Sequence, residues 1–190
     1  MMESALIVSR TKKSASYFYD MLNTASVKQV TVLDSSGEAR RLLMEQDFDL
    51  VIVDAPLSDE SGENFSRHVA SKDMSQVILA VRNEHFDAAA SVCADDGVLT
   101  ISKPVNTDVF WSALSLAKSA GSRIKRIQAE NAKLKQKIED IRIIDRAKCL
   151  LISYVNLSEQ EAHRFIEKQA MDLRSSKRKI AEEIIKTYAS

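Results

Sequence analysis

The chain has 190 residues, 45% hydrophobic and 28% charged, with four Gly and two Pro, which excludes disordered, collagen-like and low-complexity classes. Its zero net charge hides an asymmetry: residues 1–120 carry 11 Lys/Arg and 17 Asp/Glu, and residues 121–190 carry 16 and 10, so the C-terminal third is basic and suits an anionic partner. Two distant cysteines, Cys93 and Cys149, exclude a disulfide framework, and no apolar run is long enough for a signal peptide or a membrane span, so a cytoplasmic protein is expected.

The first 106 residues alternate short apolar runs with helical patterns. Ala5–Val8 is a strand, followed by a helix around Ser14–Thr24. Gln29–Leu33 is β-rich, and Ser35 with Glu38 has capping-box spacing, opening a helix through Glu45. Leu50–Val53 is a continuous apolar run ending in Asp54, and a polar loop through Gly62 leads to a helix over Glu63–Ser71. Val77–Val81, a helix over Glu84–Cys93, and Val98–Ile101 complete the series. Five buried-type strands separated by helices predict an α/β fold, a doubly wound five-stranded parallel sheet. Ligand sites in such sheets lie beyond the carboxyl ends of the strands. Ser9, Arg10, Asp54, Ala80, Val81 and Lys103 occupy those ends.

The run Asp49-Leu-Val-Ile-Val-Asp54, Gly62, and Ile101-Ser-Lys103-Pro104 together resemble the receiver domain of bacterial response regulators. The resemblance implies a flavodoxin-like fold for residues 1–119. It implies that Asp54 holds the phosphoacceptor position and that Lys103 contacts the phosphate, with a cis peptide before Pro104. It also exposes departures. Receivers place two acidic residues after the first strand to hold Mg²⁺, and here Ser9 and Arg10 stand there. A hydroxyl and a guanidinium do not replace two carboxylates for a hard cation. The reporting hydroxyl at the end of the fourth strand is replaced by Ala80. Asp54 is therefore read either as a phosphoacceptor or as a retained acid in a salt bridge with Lys103 or Arg10, and the missing acids favour the second. The domain is then a degenerate receiver, used for dimerisation or for binding a sensor or regulatory protein.

From about Thr107 the pattern becomes one long helix. Ile124, Ile127, Asn131, Leu134, Ile138 and Ile141 alternate spacings of three and four, a heptad seam with 124, 131, 138 and 145 at a and 127, 134 and 141 at d. Its phase runs back through Ala120, Ala117, Ala113 and Phe110. Asn131 at an a position fixes register and favours two strands. Residues 120–145 are thus a dimerising coiled coil, the alternative being a single helix packed on its own chain.

Residues 146–190 form a small all-α module. The helix breaks at Asn156-Leu157, Ser158-Glu-Gln-Glu161 is a second capping box, and Ala162, Phe165, Ile166, Ala170 and Met171 repeat at helical spacing. A polar turn at Arg174 leads to a last helix with Ile180, Ala181, Ile184 and Ile185. This segment, with Ala147-Lys148, Leu150-Leu151, Leu157–Ala162, Phe165-Ile166 and Ala170-Met171, resembles the ANTAR domain of bacterial transcription antiterminators. Cys149 and His163 depart from the family's usual Gly and aromatic residue. The resemblance implies binding to paired stem-loops in leader RNA. The residues themselves offer Arg146, Lys148, Lys168, Arg174, Lys177, Arg178 and Lys179 for phosphates. Tyr154, His163 and Tyr188 are available for stacking on bases.

The sequence contains no P-loop, dinucleotide loop, zinc-ligand spacing or nucleophile–base pair. The expectation is a non-enzymatic, homodimeric antitermination regulator without cofactor or membrane partner. Its rivals are a DNA-binding response regulator and a scaffold that binds no nucleic acid.

Overall fold

A computed structural model describes residues 2–72 and 75–188. The chain divides between Arg126 and Ile127 into two compact units. The first unit holds five strands, β1 (Ser4–Ser9), β2 (Gln29–Leu33), β3 (Leu50–Asp54), β4 (Gln76–Arg82) and β5 (Leu99–Lys103). They form one parallel sheet in the order β2-β1-β3-β4-β5. Helices α1 (Lys12–Thr24), α2 (Ser36–Glu45), α3 (Glu63–Ala70), α4 (Phe86–Cys93) and the first part of α5 (Thr107–Val155) cover both faces. The five predicted strands all form, because uninterrupted Val, Ile and Leu runs suit strands buried on both faces. Every residue of β3 is buried.

Period-two alternation sorts those strands into two cores. Leu6, Val8, Val51, Val53 and Leu79 pack with Phe48, Phe65 and Cys93 under α2–α4. Ile7, Leu50, Ile52 and Ile78 pack with Phe18, Leu22, Phe110 and Leu114 under α1 and α5. Phe110, Ala113 and Ala117 are buried here, whereas Ala120, which the heptad phase also included, is exposed. The phase therefore serves two surfaces: the sheet before residue 118, and an open seam after it. Asp49 accepts from the Glu3 and Ser4 amides and pairs with Lys125 of α5.

In the second unit, α5 runs to Val155, and α6 (Glu159–Asp172) and α7 (Lys177–Tyr188) follow. Asn156 adopts a left-handed conformation at φ 55°, which ends α5 where the sequence placed the break. Both arms of the Ser158/Glu161 capping box form, and Ser158 holds the Glu161 carboxyl below its ordinary range. Ala147 and Leu151 of α5, Ala162, Ile166 and Ala170 of α6, and Ile180, Ala181 and Ile184 of α7 make the core. Phe165 and Met171, read in sequence as part of the apolar face, are 41% and 73% exposed. The core row of α6 is spaced by four residues, and neither of them falls on it. No helix among the described residues is long and apolar enough to cross a membrane.

Candidate functional site

The carboxyl ends of β1, β3 and β5 bring Ser9, Asp54 and Lys103 together. Asp54 is buried, and both its oxygens are engaged. The Ser9 hydroxyl donates to Oδ2 at 2.7 Å, and the Lys103 ammonium donates to Oδ1 at 2.7 Å and also to the Ala55 carbonyl. Of the two salt-bridge partners open in the sequence, the structure selects Lys103; Arg10 is exposed and makes no ion pair among the described residues. The Lys103–Pro104 peptide is cis, as is Ala55–Pro56. Ala80 is fully buried opposite Asp54 in the β3–β4 register.

The residues present do not fit the Mg²⁺ that the receiver fold implies. Asp54 is the only carboxylate among Ser9, Arg10, Asp54 and Lys103, and a hydroxyl and an ammonium hold its two oxygens. A hard dication needs several anionic oxygens. No group of three or more potential metal ligands occurs among the described residues.

The loop after β3 is tied down by contacts that sequence reasoning missed. Asp59 accepts from the amides of Ser36 and Gly37 at 2.9 and 2.8 Å and from the Ser36 hydroxyl at 3.0 Å. Ser35 takes the next amide, that of Glu38. An intact α2 N-terminus therefore depends on a side chain 23 residues away, which no local capping pattern can show. Glu60 pairs with Arg40, whose guanidinium lies over the Phe65 ring. Gly62 starts α3 at φ 104°, and a Cβ there would meet Ala55 and Val53 at 3.2 Å. Both the backbone angle and the space require glycine.

A stability prediction arises here. The Ser36 amide, then the Gly37 amide and the Ser36 hydroxyl, hold the Asp59 carboxyl below its ordinary range. A depressed carboxyl stabilises the fold above its unfolded pKa of about 4 and loses that contribution as pH falls through the lower folded value. Asp59→Ala should cost about 1 kcal/mol at neutral pH, the ordinary worth of an N-terminal cap. Urea melts repeated in increasingly acid buffer should show the difference shrinking. A pH-independent cost would remove charge from the explanation.

In the second unit the seven cations proposed from sequence divide into two sets. Lys148 is paired with Asp145 at 2.8 Å and Glu159 at 3.3 Å, and these contacts, Asp145 first, raise its pKa. Lys177 pairs with Glu167. Arg178 bridges Asp140 of α5 and Glu182, each at 2.8 Å, and its pKa is raised, chiefly by Asp140. These three are spent within the module. Arg146, Lys168, Arg174 and Lys179 are exposed and make no ion pair among the described residues. Arg164, absent from the sequence proposal, is also exposed and lies four residues before Lys168 on α6; that helical spacing was the available signal. Of the stacking candidates, Tyr154 and Tyr188 face each other with ring centroids 5.8 Å apart, and His163 lies 3.3 Å from Glu167. Phe165 is the exposed aromatic ring of α6.

The seam residues Ile127, Leu134, Ile138 and Ile141 are 44%, 56%, 54% and 58% exposed. Asn131 between them is exposed too.

Comparison with known proteins adds to this geometry. The response regulator receiver domain family matches residues 5–115. The ANTAR domain family matches residues 132–185; this span takes in residues 132–145, which the sequence analysis assigned to the coiled coil. The chain is 25% identical over 171 residues to the transcriptional regulatory protein PdtaR of Mycobacterium tuberculosis, covering 90% of this chain and 83% of that one. A CheY-like receiver domain from Methylobacillus flagellatus superposes with a TM-score of 0.53 at 18% identity, covering 62% of this chain and 99% of that structure. The chemotaxis regulator CheY4 of Vibrio cholerae gives 0.53 at 16%, over 62% and 99%. These structural likenesses concern the fold.

Proposed function

We infer the function from one premise: the chain belongs to the response regulator receiver family and carries an ANTAR domain after its receiver domain. On that premise it is an antitermination regulator that binds paired stem-loops in leader RNA, as a cytoplasmic homodimer and without catalysing a reaction. The observation that carries this reading is the ANTAR match over 132–185, on a three-helix module that leaves Arg146, Lys168, Arg174 and Lys179 exposed and without an ion pair among the described residues. Cations of this kind bind RNA by displacing counterions from phosphates. Two modules in a dimer also make a second stem-loop an intramolecular partner, which multiplies affinity without any new contact. The test compares an RNA of two hairpins with the same RNA truncated to one. Two hairpins should bind about a hundredfold more tightly or more, the low end of the gain expected for linked sites. Equal binding to both, or preference for duplex DNA, would overturn the reading.

Regulation at the first unit follows from the same chemistry. Asp54 works as a retained acid rather than a phosphoacceptor, and the domain is a docking module for a partner protein. Support comes from the engagement of both Asp54 oxygens and from Ser9 and Arg10 standing in the metal-binding places. Without metal, charge on a transferring phosphoryl group is poorly neutralised. Incubation with acetyl phosphate and Mg²⁺ should leave the intact mass unchanged. An added phosphoryl mass that disappears in Asp54→Ala would restore the phosphoacceptor role.

A further inference from the structure

We propose that Lys118, Arg123 and Arg126, with the hydroxyls of Ser119 and Ser122, form a second phosphate-binding surface on the first unit, which grips RNA backbone outside the hairpins. The proposal rests on the RNA-binding reading above and extends it to a surface outside the ANTAR match.

The placement follows from helical geometry. A helix turns about 100° per residue, so α5 between Phe110 and Ile127 presents three arcs. Phe110, Ala113, Leu114 and Ala117 are buried against the sheet. Ile124 and Ile127 open the seam. The remaining arc carries Lys118, Ser119, Ser122, Arg123 and Arg126, which line one shallow open depression of about 440 Å³. In heptad terms these are b, c, f, g and c positions, so pairing through a and d leaves Lys118, Ser119, Ser122 and Arg126 uncovered and sets Arg123 at the seam's edge.

Its charge is not neutralised. Lys125, one residue from the arc, is spent on Asp49, and Arg142 on the same helix approaches Glu139. Lys118, Arg123 and Arg126 make no ion pair among the described residues, and no acid lines the depression. Three cations and two hydroxyls over about 12 Å of helix axis form a donor set without acceptor carboxylates. That composition fits successive phosphodiesters, since phosphate contacts are made by Arg, Lys and Ser/Thr groups and require no base recognition. The depression itself is lined by cations and hydroxyls alone; Leu116, 60% exposed one turn before Ser119, stands at its margin rather than at its centre, where a protein partner's apolar anchor would sit.

The test uses the full-length chain and two synthetic RNAs. One has two hairpins alone; the other carries a single-stranded extension at one end, long enough for one chain's surface. Each cation on single-stranded phosphate adds about 0.7 to the salt slope. The extended RNA should therefore bind more tightly, with a slope steeper by about 2. The K118Q/R123Q/R126Q variant should lose that increment and match the wild type on the trimmed RNA. Across a fourfold rise in salt this is about a twentyfold difference in affinity lost. The charge-keeping variant K118R/R123K/R126K should retain the steeper slope, which separates charge from folding. If the wild type binds both hairpin RNAs but the neutral variant matches it on the extended one, the second surface is refuted and the ANTAR reading survives. If the wild type binds neither RNA, both fall. If the neutral variant loses only binding to phosphatidylglycerol-containing vesicles, the surface belongs to lipid and the proposal is overturned.

Discussion

At tens of micromolar the wild type is expected to sediment as a dimer and the Leu134→Asp/Ile138→Asp variant as a monomer. Both residues are more than half exposed in the single chain, so the substitutions remove nothing from either folded core. Paired, each would bury an apolar side chain worth about 1.5–3 kcal/mol. Two sites on two chains make about 6 kcal/mol at the low end, or roughly four orders of magnitude in dissociation constant. Facing carboxylates would add repulsion. Sedimentation equilibrium of both proteins at tens of micromolar decides the matter. A monomeric wild type would assign the exposed seam to another partner and take the dimer out of the proposed function.

The second large effect concerns the cations of the ANTAR module. Replacing Arg146, Lys168, Arg174 and Lys179 with Gln should flatten the salt dependence of binding to a single hairpin by about 3 units of slope, taking about 0.7 for each lost phosphate contact. Across a fourfold rise in salt the variant would then lose about fiftyfold less affinity than the wild type. Helical content should not change, because none of the four side chains makes an ion pair among the described residues. K177Q/R178Q should behave differently. It removes the Glu167 and Asp140–Arg178–Glu182 contacts, so the melting temperature should fall slightly while the salt slope of binding changes little. Unchanged salt slopes in the fourfold variant would move the RNA surface elsewhere on the module.

These two variants mark where the sequence stops being readable. The strands were legible because Leu50–Val53 and Val77–Val81 carry one signal, continuous apolar residues, that only a sheet buried on both faces satisfies. Asn156 and Ser158 were legible because helix ends are local chemistry. The Asp54–Lys103 pair followed from resemblance, and only the structure chose Lys103 over Arg10. Which cations are available to a ligand was not legible. Lys148 and Lys168 look alike in sequence; one is consumed by Asp145 and Glu159, and the other is not. Asp59 shows the same limit, since its partners in α2 lie before it in the chain and across a strand. Phe165 and Met171 show that a correct helical period still leaves open which arc the core occupies.

Asn131 has a consequence beyond register. In a paired seam, the Asn131 carboxamide is satisfied by its own counterpart across the axis. A foreign helix offering Ile or Val there would leave it without a partner, at about 1–3 kcal/mol. That penalty falls on mixed pairs and spares like pairs. If the seam pairs, this one residue would act as a sorting label, favouring a second copy of the same chain over any helix with an apolar residue at that place.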